Sequence, residues 1–164
     1  MEYVNNGNIK NKIINNINEL IEVRVYKYFI QIVSAINFLH ENQIIFRNLS
    51  TNNLLLDEYD DIKLVDFSSS IKGSSLYKEI VFDENYQYSN LIPDDIKSSF
   101  KDYKLDIWLL GVVLYELVFG CFPYKSNTQK LINYDETNQK VLVDNDCINL
   151  IKSNYFYNYL INNN

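Results

Sequence analysis

Glycine is scarce in this 164-residue chain: only Gly7, Gly73, Gly111 and Gly120 occur. No Gly-x-Gly-x-x-Gly can be written from them, which excludes, within these residues, a loop that cradles phosphates on closely spaced backbone amides. Arginine is scarcer, with Arg24 and Arg47 alone, so little is left for bidentate phosphate recognition. The 15 Lys and Arg are outnumbered by 21 Asp and Glu, for a net charge of −6. Nucleic acid is therefore not an expected partner, because its phosphates need basic stripes to neutralise them. Two cysteines, Cys121 and Cys147, sit in separate apolar segments without metal-ligand spacing. They read as two buried thiols in a reducing compartment. The one histidine, His40, closes a helical pattern and suits the negative end of its dipole; no catalytic partner for it is visible in the sequence.

Long hydrophobic runs are also missing. The most apolar stretch, Ile107 to Phe122, is too short to span a bilayer and carries Glu116 inside it. It reads as a buried core helix, and no membrane contact is expected. No basic segment leads into an apolar run at the start of the chain, so secretion is not indicated and the expected location is cytoplasmic. What is abundant is asparagine, with 24 residues, beside many Ile, Lys and Tyr; this bias carries no function of its own. With 47% apolar and 22% charged residues, the chain has the balance of one soluble globular domain able to bury its own core.

From Glu22 to His40, Val25, Phe29, Ile32, Val33, Ile36 and Leu39 recur at three- and four-residue steps, which predicts a long amphipathic helix. Ile44-Ile45-Phe46 is a short apolar run leading into the polar stretch Arg47 to Asn53. Leu54 to Leu56 and Ile62 to Val65 are two strand candidates separated by the acidic, turn-rich spacer Asp57 to Asp61. Ser68 to Ile92 reads as a long irregular loop, of the kind that is seldom an idle connector. A second strong helix runs from about Asp102 to Phe119, apolar nearly all round, with Gly120 suited to its C-terminal cap. Weaker helices are expected at Thr128 to Tyr134 and Asn145 to Leu160. The fold class is mainly α with one small β-hairpin.

Four short motifs then occur in a telling order. Phe46-Arg47-Asn48-Leu49-Ser50-Thr51-Asn52-Asn53 resembles the catalytic loop of protein kinases, His-Arg-Asp followed by Asn five places later. Asp66-Phe67-Ser68 resembles Asp-Phe-Gly, and Ile92-Pro93-Asp94 resembles Ala-Pro-Glu. Asp106-Ile107-Trp108-Leu109-Leu110-Gly111 is similar to the segment that opens the family's central buried helix. Thirteen residues separate Asn53 from Asp66, enough for two short strands and a turn to bring a loop end and a strand end together.

The resemblance extends to the first residue, since Met1 to Gly7 is similar to the family's hinge. It implies that residues 1–164 are one truncated protein kinase-like domain, the hinge plus the C-terminal lobe, with the N-terminal lobe, its glycine-rich loop and its lysine strand absent. ATP and Mg2+ are the cofactors it implies, weak or absent in this chain. Glu2, Val4 and Leu55 would meet the adenine, and Asn53 and Asp66 would hold metal. Asp106 would accept backbone N–H groups of the catalytic loop from below, and Asp94 would close the activation segment. Arg47 is either a plain loop arginine or a partner for a phosphate on that segment. The serines at 68 to 70, 74 and 75 read as flexible loop rather than phosphorylation sites. Uncovered, Tyr3, Val4 and Leu55 would form an exposed apolar patch over the hinge face, fit for a protein partner or the missing lobe.

Departures from the family pattern are specific. Asn48 stands where the catalytic base, Asp, is expected, and an amide is no useful base. Ser50 replaces the phosphate-neutralising lysine, and Ser68 the glycine after Asp-Phe. Phe46 for His is mild, since that side chain mainly packs. Two readings follow: a serine/threonine-kinase-derived module with impaired catalysis, binding or scaffolding in role, or a fragment of an active serine/threonine kinase. Truncation explains absent segments but not residues changed inside an intact loop, which favours the first.

Overall fold

The computed structural model describes residues 6–72, 103–123 and 139–153. Glu2, Tyr3, Val4, Asp94, Ser74, Ser75 and the expected helix at Thr128 to Tyr134 lie outside them.

The first helix, α1, spans Ile9–Asn16 and is capped by Asn8, whose side chain accepts from the Asn11 amide at 2.8 Å. Its Ile9 and Ile13, four apart, are the face it buries. A single 3₁₀ turn at Ile17–Glu19 leads into α2, Glu22–Glu41. The buried stripe of α2 is Val25, Tyr28, Ile32, Ile36 and Leu39. Tyr28 thus takes the central place the spacing predicted for Phe29, which only flanks the core, while Val33 is turned to solvent. The helix rotates that way because the 0% exposed Tyr28 has a polar partner for its hydroxyl in Asp60, at 2.7 and 2.8 Å from the two carboxylate oxygens.

Next come β1, Ile44–Ile45; β2, Leu54–Leu56; β3, Ile62–Leu64; and β4, Ile71–Lys72. The expected hairpin is β2–β3, antiparallel with Leu54 opposite Leu64 and Leu56 opposite Ile62. Its turn is held by Asp57, whose Oδ1 accepts from the amides of Tyr59 and Asp61. A second antiparallel pair, β1–β4, sets Ile45 opposite Ile71. The stretch after Ser68 is therefore not irregular from its start, a correction that two-residue strands could not have announced by periodicity.

Helix α3, Lys104–Phe119, is the centre of the lobe, with every residue from Trp108 to Phe119 buried. It ends at Gly120, whose φ of 71° is left-handed and whose amide donates to the Glu116 carbonyl at 2.9 Å. A side chain there would also press on Ile17 Cδ1, which would have to move aside. The last described helix, α4, is Asn145–Ser153. Asp144 caps it, accepting from the Cys147 amide, and its own amide donates to Glu22 in the first turn of α2. Cys147 is buried as expected, but Cys121 is exposed, because it lies beyond the glycine that stops α3. Helices α2 and α3 pack together, and the mainly α class with small antiparallel sheets stands. Among the described residues no helix is long and apolar enough to cross a membrane.

Candidate functional site

The loop from Phe46 to Asn53 is suspended from α3. Asp106, 0% exposed, accepts from the Phe46 amide on one carboxylate oxygen and from the Arg47 amide on the other, each at 2.8 Å. His40 Nε2 also lies 2.8 Å from Asp106 Oδ2, and its ring rests on Tyr103 with centroids 4.4 Å apart. The sequence showed no partner for His40 because the partner is 66 residues away. Arg47, the second of these two anchored residues, takes a left-handed φ of 68°.

Two further contacts fix the loop from outside its own sequence. Thr51, fully buried, donates its hydroxyl to Glu116 Oε2 at 2.9 Å, and Lys10 Nζ donates to Glu116 Oε1 at 2.8 Å. The Lys10 amide donates to the Thr51 carbonyl at 3.0 Å. The sequence marks Glu116 only as a charge inside an apolar run and Lys10 not at all; a lysine in an asparagine-rich helix and an acid in an apolar one carry no local sign of each other.

At the far end of the loop, Asn53 and Asp66 meet the same residue. Asn53 Nδ2 donates to the Asn48 carbonyl at 2.8 Å, and Asn48 Nδ2 donates to Asp66 Oδ2 at 2.7 Å. The Val65 amide donates to the Asn53 carbonyl at 3.1 Å, which joins the end of β3 to the end of the loop. Asp66 takes φ = 64°, a left-handed turn that aims its side chain back at the loop. Its Oδ1 accepts from the Ser68 hydroxyl at 2.6 Å and the Ser68 amide at 3.3 Å. These Ser68 bonds hold the Asp66 carboxyl below the usual carboxylate range; slight burial opposes them and Asn48 adds to them. Phe67 sets its ring edge-on to buried Phe46, centroids 5.0 Å apart. Ser70 donates its hydroxyl to the Phe46 carbonyl at 3.1 Å.

The other expected site residues sort unevenly. Ser50 is only 2% exposed, so its hydroxyl is not offered to an open cleft; its carbonyl instead accepts from the Asn53 amide. Leu55 is half-buried rather than bare, with Asn8 bridged to it and the Leu56 backbone bonded to Asn6 and Gly7. Glu2, Val4 and Asp94 lie outside the described residues.

A divalent cation fits this donor set poorly. Mg2+ requires near-octahedral oxygen ligation. Here the Asp66 carboxylate already holds three hydrogen bonds from neutral donors, and the Asn53 amide is engaged with the Asn48 carbonyl. Among the described residues no group of three or more His, Cys, Asp or Glu could hold a metal.

The fold and this loop define a class of protein, and comparison with known families states which. The profile of the family described as protein kinase domain matches residues 1–157, so the chain belongs to that family. It is similar to a probable serine/threonine-protein kinase, MARK-A, of Dictyostelium discoideum, at 34% identity over 147 residues, 88% of this chain and 13% of that protein. It is similar to CBL-interacting protein kinase 15 of Oryza sativa subsp. japonica, at 32% identity over 76% of this chain and 29% of that protein. It is likewise similar to NUAK family SNF1-like kinase 2 of Homo sapiens, at 33% identity over 80% of this chain and 21% of that protein. The chain thus spans less than a third of the length of each of these relatives.

Proposed function

We propose that this chain is a serine/threonine-kinase-derived domain with impaired catalysis, whose role is to bind or scaffold rather than to transfer phosphate. The observation that carries the reading is the bond from Asn48 to Asp66. At the position of the catalytic base stands an amide, and it points its NH2 group, a donor, at the neighbouring carboxylate. A positioned base contributes about 10²- to 10⁴-fold to such a reaction, and an amide supplies none of it. Ser50, where a lysine would neutralise phosphate, is buried and neutral.

The family uses ATP and Mg2+ in general. For this chain we take nucleotide binding to be weak, no tighter than roughly millimolar, about 4 kcal/mol. These 164 residues contain no glycine-rich loop, and Asp66 is occupied by its own neighbours. We take a protein partner or a kinase N-terminal lobe to cover the hinge face, and the backbone pairing of Asn6 to Asn8 with β2 supports that reading.

The test is phosphate transfer from ATP to a generic protein substrate by the purified chain, beside an Asn48→Asp, Ser50→Lys double variant. The unaltered chain should stay at background. The double variant should also stay there alone and gain turnover only when a kinase N-terminal lobe is supplied. Turnover well above background by the unaltered chain would refute impaired catalysis and favour the active-fragment reading.

A further inference from the structure

The carboxylate of Asp66 sits at the end of a chain of neutral donors. Asn53 Nδ2 donates to the Asn48 carbonyl, Asn48 Nδ2 donates to Asp66 Oδ2, and Ser68 donates twice to Asp66 Oδ1. The Asn48 amide also reaches the Asp66 carbonyl at 3.4 Å. The 2.6 Å separation from the Ser68 hydroxyl is that of a bond to a charged acceptor, shorter and stronger than a bond between neutral groups.

Both residue types matter to this closure. Glycine at position 68 would keep the 3.3 Å amide bond and lose the 2.6 Å hydroxyl bond. Aspartate at position 48 would set a second carboxylate 2.7 Å from Asp66 Oδ2, where two like charges repel unless a cation or proton lies between them. Asparagine there turns the same contact from repulsive to attractive. The two departures from the family pattern that flank Asp66 therefore act in one direction, each supplying a donor to an oxygen that a cation would otherwise need.

We propose that Asn48 and Ser68 take the place of a divalent cation at Asp66. They hold its left-handed backbone and its carboxylate in a closed arrangement that excludes metal. A cation and the lock compete for the same two oxygens, so metal enters only as the donors leave. Asn48 and Ser68 are positioning residues in this arrangement, and Asp66 is the group they position. The inference rests on reading the loop as a kinase-like site, but it predicts metal binding rather than turnover.

The probe is Mn2+ alone, added to the full 164-residue chain and followed by the resonance of the free ion and by water-proton relaxation. The unaltered chain should take up Mn2+ only weakly, and its melting temperature should be indifferent to Mg2+. An Asn48→Asp, Ser68→Gly double variant should take up Mn2+ roughly ten- to a hundredfold more tightly. It should also melt at a higher temperature with Mg2+ than without, as ligand linkage requires. Adding Asp66→Asn to the double variant should abolish both effects. Ser68→Ala, at an exposed position and without new charge, should lower the metal-free melting temperature and raise Mn2+ uptake by a smaller factor.

Uptake by the unaltered chain equal to that of the double variant, and lost with Asp66→Asn, would overturn the lock. So would a folded double variant that binds no more than the unaltered chain, or a Ser68→Ala variant that changes neither quantity. An inactive chain that binds Mn2+ at Asp66 as tightly as the double variant refutes the lock alone; a chain that transfers phosphate with its lock intact refutes impaired catalysis alone.

Discussion

Lys10 and Glu116, 106 residues apart in sequence, meet at 2.8 Å with the acid 1% exposed and the lysine at the rim. Thr51 donates to the other oxygen of the same carboxylate, so α1, the loop from Phe46 to Asn53 and α3 are joined at one buried charge. Breaking such a pair from one side leaves a charge without compensation, whereas replacing all its members by apolar groups often costs little.

Lys10→Ala should therefore destabilise the chain by about 3–5 kcal/mol. The triple variant Lys10→Met, Thr51→Val, Glu116→Leu should lose much less. Urea unfolding of the two variants checks this. A triple variant as unstable as the single one would mean that the geometry of the charged group, rather than its burial, carries the effect.

Asp106→Ala should strand the amides of Phe46 and Arg47 inside the lobe, at about 1–3 kcal/mol for each donor left unsatisfied. Asp106→Asn should fall between the two, since it keeps one acceptor but turns an NH2 group toward a donor. His40→Ala should cost less than either, because both amides keep their acceptor. The order of melting temperatures, unaltered above His40→Ala, then Asp106→Asn, then Asp106→Ala, is the readout.

Asp60 holds the β2–β3 turn to α2 through Tyr28 and to α1 through Lys12, at φ = 60°. Asp60→Ala should cost about 1–3 kcal/mol for the stranded Tyr28 hydroxyl, and about 1–2 kcal/mol more for a left-handed residue with a plain Cβ. Asp60→Asn should lose less on both counts. Burial raises the Asp60 carboxyl, but bonds from Tyr28 and Lys12 outweigh it, leaving the group below its ordinary value of 3.8. A lowered folded value means that its stabilisation is present above 3.8 and is lost as the pH falls through the folded value. Acid unfolding of Asp60→Asn should accordingly depend less steeply on pH in that range than that of the unaltered chain.

The two thiols should differ in reactivity. Burial and the nearby charge of Asp144 push the Cys147 thiol up to about 11, within the wall formed with Tyr26, Phe29 and Leu150. Cys121 is also raised, by partial burial and Glu116, but its residue is exposed. Alkylation at neutral pH followed by mass spectrometry should label Cys121 faster than Cys147, by on the order of tenfold or more, until denaturant removes the difference.

Periodicity and spacing were enough to place α2, α3 and the β2–β3 hairpin, because each buries a pattern that repeats within its own segment. Asp106 and the loop from Phe46 to Asn53 stood out through the resemblance, since these motifs are contiguous and their order is distinctive. Periodicity missed α1, an asparagine-rich helix of modest intrinsic preference that owes its place to two isoleucines against the core. It missed β1–β4, two residues a side, and put Phe29 where Tyr28 belongs. The substitutions at Asn48 and Ser68 were plain in the sequence, but their joint grip on Asp66 was not. That grip depends on two left-handed residues, Arg47 and Asp66, which turn a loop end and a strand end face to face. The pairings of His40 with Asp106 and of Lys10 with Glu116 were likewise decided only by tertiary structure. A hydrogen bond or ion pair acts over a few ångströms, and only packing brings residues so far apart in the chain within that reach.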